Sequence, residues 1–190
     1  MPGLEAVREG EAGPQRHVPT LGVEVPALAA RVPDGGPKVA LDLIDELLLE
    51  HFTMTWKKWA GTKGKMLRNQ SHGSPANTLD LYSVVDIPET EGTDILRFKF
   101  ATSAANVSGK QLVSSESATW LNEHFLSSWG DVKNAIDLYF LGGVNHIFYH
   151  GTEYSPKEAK WPGWLFYAAV HFQPTNPQWK DFHVLNSSIT

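Results

Sequence analysis

The chain has 190 residues, 42% hydrophobic and 19% charged, the composition of an ordinary globular protein with room for one sizeable core. A net charge of −5 and a pI near 5.9 lack the basic footprint that nucleic acid requires, and no Lys/Arg stripe occurs, so a neutral, sugar-like ligand fits better. The absence of cysteine excludes disulfides, thiolate zinc sites and cysteine nucleophiles.

Met1 to Glu11 carries charges and no apolar core of signal-peptide length, and no later run reaches the length of a membrane span. No signal peptide and no membrane partner are expected, and the compartment stays undecided. Residues 1–36 are rich in Gly, Pro, Ala and Glu without sustained periodicity, and close on the breaker Asp34-Gly35-Gly36-Pro37. An irregular N-terminal segment is therefore expected, with the folded part covering 37–190.

From Pro37 the pattern changes. Leu41, Ile44, Leu48, Phe52, Trp56 and Trp59 recur every three or four residues, which predicts an amphipathic helix ending near Gly61 to Gly64. A unit then repeats: a short strand, a polar loop and a helix closed by Gly or Pro. The predicted strands are Lys65–Gln70, Asp86–Glu91, Gln111–Glu116 and Val144–Tyr149. Between them lie a helix through Leu79, Leu81, Tyr82 and Val85, one over about Asp94–Val107, and two segments, Ala118–Leu126 and Asp131–Leu141. After the fourth strand come the loop His150-Gly151-Thr152, the stretch Trp164–Phe172 and a helix past Pro177.

Strands alternating with helices predict parallel βαβ units and an α/β fold. No G-x-G-x-x-G or G-x-x-x-x-G-K-[ST] follows a strand, which disfavours a nucleotide-binding doubly wound sheet. Polar residues instead gather at the C-terminal ends of several strands, as in a (β/α)8 TIM barrel. A full barrel needs at least about 200 residues, so four βα units are expected to be part of one, with strand edges that the remainder of the barrel or a second copy would cover.

The strand ends carry the chemistry. Asn69, Gln70 and His72 end the first; Glu89 and Glu91 the second; Ser114 and Glu116 the third; His146 and His150 the fourth. Residues two apart share a face, and neighbouring strands lie about 4.8 Å apart, so the glutamates can approach one another. Glycosidic cleavage needs two carboxyl groups, and close carboxylates also suit a hard cation such as Ca2+. The competing role for these glutamates is to cap helices or pair with Arg68, Arg97 or Lys110. Neither H-E-x-x-H nor G-x-S-x-G occurs, which disfavours zinc hydrolysis and serine acyl transfer. Seven tryptophans are many for this length, and Trp120, Trp129, Trp161 and Trp164 fall near strand ends or loops, where they serve either as core or as platforms for sugar rings.

The stretches Arg68–Gly92, Leu112–Phe125 and Gly142–Ala168, with IPETEG, SSES and NHIFYHGT inside them, resemble the barrel of the large multidomain α-L-rhamnosidases from about Pro37 onward. The resemblance implies a calcium-dependent, inverting glycoside hydrolase that removes terminal α-L-rhamnose from plant glycans, and a chain corresponding to the last half of the barrel. It implies catalytic or metal-binding roles for Glu89, Glu91 and Glu116, and sugar-binding roles for Asn69, His72, His146, His150, Tyr154, Trp161 and Trp164. Full-length relatives would be exported. In such barrels the general acid commonly ends strand four, where this chain has its irregular N-terminus, so Glu116 or Glu91 is assigned the base or metal role and the acid is left unassigned. Two alternatives stay open: an inactive carbohydrate-binding fragment, and a retaining β-glycosidase, whose nucleophile strand SSES also resembles.

Overall fold

A computed structural model describes residues 36–120 and 124–189. Most of the segment expected to be irregular lies outside these residues. Its last member, Gly36, opens helix α1 (Gly36–Glu46), which continues through a π-helical stretch (Leu47–Met54) into α2 (Thr55–Thr62).

This long helix is where the periodicity misleads. Thr53 Oγ1 donates to Leu48 O at 2.7 Å and Thr55 Oγ1 to Glu50 O at 3.2 Å, each reaching back five residues along the widened turns. The wider turn breaks the 3.6-residue register, so Thr53 and Ala60 are buried while Phe52, Trp56 and Trp59 of the predicted apolar stripe are exposed; Leu41, ahead of the widened turns, is exposed as well. Lys57 anchors the helix to the body, donating to Val84 O at 2.6 Å and pairing with Asp86 at 3.3 Å.

Four strands follow: β1 (Arg68–Gln70), β2 (Ile87–Glu91), β3 (Ser114–Ser117) and β4 (His146–Tyr149). They pair in sequence order, and every pair is parallel. The α/β expectation holds, and the unreversed order is consistent with part of a barrel wall; a doubly wound sheet would reverse at a switch point. Helices α3 (Thr78–Val84), α4 (Ile95–Val107) and α5 (Trp129–Gly142) connect the strands, and α6 (Phe182–Ile189) ends the fold. No helix among the described residues is long and apolar enough to cross a membrane.

Local chemistry sets the boundaries. Asn77 caps α3 and Asp94 caps α4, each accepting from the backbone two residues on. Helix α5 begins two residues before the predicted Asp131, because Ser128 is the N-cap and Asp131 closes a capping box with it. The predicted helix over Ala118–Leu126 is not formed in its described part, where Ala118 and Phe125 take φ of 67° and 64°. Those left-handed positions turn the chain into a loop. Gly143, at φ 98°, ends α5 as predicted.

The core lies between the helices and the outer face of the sheet. Tyr82, Phe98, Val113, Tyr139 and Val144 form one buried cluster, and Ala118, Val132, Ile136, Val170, Phe172 and Leu185 a second. Gly142 lets α5 approach α4: a Cβ there would stand 2.9 Å from Phe98 Cδ2. Asn145 fixes the β3–β4 register, its Oδ1 accepting from Val113 N at 2.9 Å and its Nδ2 donating to Gln111 O at 2.7 Å.

Candidate active site

Alternation along the paired strands sorts the polar residues onto two faces. Gln70 stands opposite Glu89, Glu89 opposite Ser114, Glu91 opposite Glu116 and Glu116 opposite Phe148, so these residues share a face with Arg68 and His146. The Arg68 guanidinium lies 3.6 Å from the ring centroid of Phe148. In a flat sheet three steps of about 4.8 Å would part β1 from β4, so the contact shows this face to be concave. Asn69 pairs with Pro88 and belongs to the opposite face, where its Nδ2 donates to Ser71 Oγ at 3.3 Å. The structure therefore does not bring Asn69 to the glutamates.

The three glutamates have different surroundings. Glu89 is 7% exposed; it pairs with Arg68 Nε at 3.2 Å and accepts from Ser114 Oγ at 2.7 Å and Gln70 Nε2 at 3.2 Å. The Arg68 pairing considered from the sequence is the one found, and it occupies Glu89 structurally. Glu91 and Glu116 are half-buried and stand opposite each other at the C-terminal ends of adjoining strands.

Glu116 is the more heavily held of the two. Thr119 Oγ1 and Gln70 Nε2 each donate to it at 2.7 Å, and His150 Nδ1 stands 3.7 Å away. Burial alone raises its pKa, but these two bonds, the field of His150 and the bond with Glu91 outweigh burial and hold the carboxyl below its ordinary value. Glu91 Oε1 lies 3.1 Å from His72 Nε2, and His72 Nδ1 lies 3.3 Å from the Tyr82 hydroxyl. Tyr82 is fully buried, donates to Glu89 O at 2.9 Å, and has its pKa pushed up to about 12, chiefly by burial. A second buried phenol, Tyr139, donates to Gly92 O at 2.7 Å and Glu116 O at 3.1 Å, tying the two strand ends together.

The remaining predicted sugar contacts divide. His72 lines a cleft of about 400 Å³ with Asp94, Arg97 and Phe100. His150 meets the ring of Phe166 at 5.1 Å. His146 is exposed and lines a cleft of about 470 Å³ that continues along β4 to Asn186 and Ile189 of α6. Tyr154, Trp161 and Trp164 are exposed on the loop after β4, whereas Trp129 stacks on Phe172 at 5.5 Å and Trp120 packs against the second core cluster. Sequence reading missed Gln70 as the bridge between Glu89 and Glu116, and missed His124, Glu153 and His171 entirely; nothing in their spacing marks them.

The glutamates fit calcium only in part. Calcium takes about six to eight oxygens; Glu91 and Glu116 offer hard oxygens side by side, but those of Glu89 are taken by Arg68, Ser114 and Gln70. Among the described residues the one group of three acidic or histidine side chains with ligand atoms within 4.8 Å of one another is Glu46, Glu50 and His51, on the N-terminal helix.

A parallel sheet presenting paired carboxylates at adjoining strand ends is a construction used for glycoside hydrolysis. The model of glycoside hydrolase family 106, described as alpha-L-rhamnosidase, matches residues 44–183, and the chain belongs to that family. Among solved structures it is similar to a rhamnosidase from Novosphingobium sp. PP1Y, at 22% identity and a TM-score of 0.65 over 80% of this chain. That likeness is one of fold, and the chain spans 16% of that rhamnosidase. A search of curated proteins finds no match.

Proposed function

We propose that this chain forms part of the active site of an inverting hydrolase that removes terminal α-L-rhamnosyl residues from plant-type glycans. The observation that supports this best is the register of Glu91 against Glu116, which sets two half-buried carboxyl groups side by side at adjoining strand ends. An inverting pair stands about 6.5 to 9.5 Å apart and a retaining pair about 5 to 5.5 Å. Side by side on strands about 4.8 Å apart, Glu91 and Glu116 act as one unit, with the opposing acid elsewhere. In this reading they take a proton from water as its oxygen bonds to the anomeric carbon, while the C–O bond breaks and the departing oxygen receives a proton from an acid that is neither of them.

Any calcium held here belongs at Glu91 and Glu116, where it would neutralise the pair; water or groups beyond the described residues would complete its ligands. His72, His150, Trp161 and Trp164 face the sugar in this reading, and Glu89 holds Arg68 and Gln70 in place. The outer edges of β1 and β4 are covered by the rest of a (β/α)8 barrel or by a second copy.

The alternative, a catalytically inactive carbohydrate-binding fragment, draws on the same register, since one carboxylate unit lacks its opposing acid. Hydrolysis of 4-nitrophenyl α-L-rhamnopyranoside separates the two. Nitrophenolate is a good leaving group that departs without protonation, so a base alone suffices. Turnover that vanishes in Glu116→Gln supports the enzyme; rhamnose binding without turnover supports the fragment.

A further inference from the structure

The loops after β3 and β4 enclose a second set of titratable groups that the carboxylate pair does not use. His171 is fully buried; its Nε2 lies 2.7 Å from His124 Nδ1, and its Nδ1 faces Glu153 Oε2 at 3.5 Å. Among the described residues neither His171 Nδ1 nor Glu153 Oε2 has a hydrogen-bond partner. The other Glu153 oxygen accepts from Phe166 N at 3.1 Å. Phe166 in turn meets His150, which faces Glu116, so this set is continuous with the carboxylate site.

A carboxylate facing His171 Nδ1 favours the tautomer with its hydrogen there, which leaves His171 Nε2 an acceptor. In that arrangement His124 Nδ1 donates across the 2.7 Å contact. The Nε2 of His124, an exposed residue, is then an acceptor, with no hydrogen bond to it among the described residues.

An aromatic platform stands beside it. Phe125 packs on His171 at 5.0 Å and stacks on Trp161 at 5.7 Å, 22° from parallel. Trp161 is 69% exposed, and its Nε1 donates to Thr175 O at 3.2 Å, which fixes the plane of the ring. A flat apolar face and an oriented acceptor at the two ends of one run of packed rings match a saccharide, which offers C–H bonds on its ring faces and hydroxyls on its rim. The rings run from His124 through His171 and Phe125 to Trp161, a spread that suits more than one sugar unit.

We infer that His124 and Trp161 form a second saccharide subsite, which takes the sugar to which the terminal rhamnose is joined. His124 Nε2 accepts from a hydroxyl and the open face of Trp161 carries the ring. His171 and Glu153 are positioning residues that set the tautomer of His124. This inference rests on the reading of the chain as a rhamnoside-binding protein.

The test compares L-rhamnose with the disaccharide α-L-rhamnosyl-(1→6)-glucose on the 190-residue chain by NMR titration. The disaccharide is expected to bind at least tenfold more tightly, and His124→Ala is expected to remove most of that gain while leaving rhamnose affinity unchanged; Trp161→Ala is expected to weaken disaccharide binding at least as much. Equal affinity for the two probes, or disaccharide binding untouched by both substitutions, overturns the subsite while the rhamnose reading stands. Failure of the wild-type chain to bind either probe overturns both. A fold-preserving check uses Glu153→Gln, whose amide can donate to His171 Nδ1 and so reverse the relay. Near pH 8 the imidazole nitrogen-15 pattern of His124 is expected to be Nδ1–H in the wild type and Nε2–H in the variant. An Nε2–H pattern in the wild type overturns the assignment.

Discussion

Glu91 and Glu116 stand opposite each other in the β2–β3 register, and His72 and His150 flank them, His72 at 3.1 Å from Glu91 and His150 at 3.7 Å from Glu116. The shared unit, more than either residue, is what the strand pairing builds. Removing one carboxylate frees the other from its neighbour, so single substitutions are expected to be non-additive. Glu91→Gln, Glu116→Gln and the double variant should each lower aryl rhamnoside turnover by about 100-fold or more, with the double variant little worse than Glu116→Gln. Steady-state kinetics on the three proteins checks this.

The depressed Glu116 pKa has a consequence for stability. A carboxylate with a lower pKa folded than unfolded stabilises the fold fully above its ordinary value, about 4.3 for glutamate, and loses that contribution as pH falls through the folded value. Thermal melts of the wild type should therefore steepen in their decline below about pH 4, and Glu116→Gln should flatten that acid limb. An unchanged acid limb in the variant would mean that Glu116 is not held low.

Gln70 is the common donor to Glu89 and Glu116, at 3.2 and 2.7 Å. In Gln70→Leu the bond to Glu116 is lost while burial remains, so the Glu116 pKa should rise. Carbon-13 titration of the labelled carboxyl reads this directly. The fold should survive, because Glu89 keeps Arg68 and Ser114.

Two glycines make a paired test of packing. A Cβ at Gly142 would meet Phe98 at 2.9 Å, whereas Gly61, in the last turns of α2, has nothing within 4 Å of that position. Gly142→Ala should destabilise by about 1 to 3 kcal/mol through overpacking, and Gly61→Ala should stabilise by roughly 0.5 to 1 kcal/mol. Urea unfolding measures both.

What could be read in advance follows from which signals are local. Asn77, Asp94 and the Gly142-Gly143 stop lie within a turn of the elements they bound, so α3, α4 and the end of α5 were legible. So was the placement of Glu91 and Glu116, since period-2 alternation and parallel pairing together bring them to one edge. The exposure of Phe52, Trp56 and Trp59 was not, because a π-helical stretch shifts the phase of a pattern that presumes 3.6 residues per turn. Asn69 was misplaced by a single residue of alternation, which suffices to change faces. The Glu153–His171–His124 relay joins residues 18 and 47 positions apart, and no sequence spacing records such a contact.

Proton NMR of 4-nitrophenyl α-L-rhamnopyranoside hydrolysis tests whether Glu91 and Glu116 are the water-activating unit of an inverting rhamnosidase. β-L-rhamnose is the expected first product, and its formation is expected to be lost in Glu116→Gln. Release of the α anomer first, or turnover that Glu116→Gln leaves intact, would contradict it.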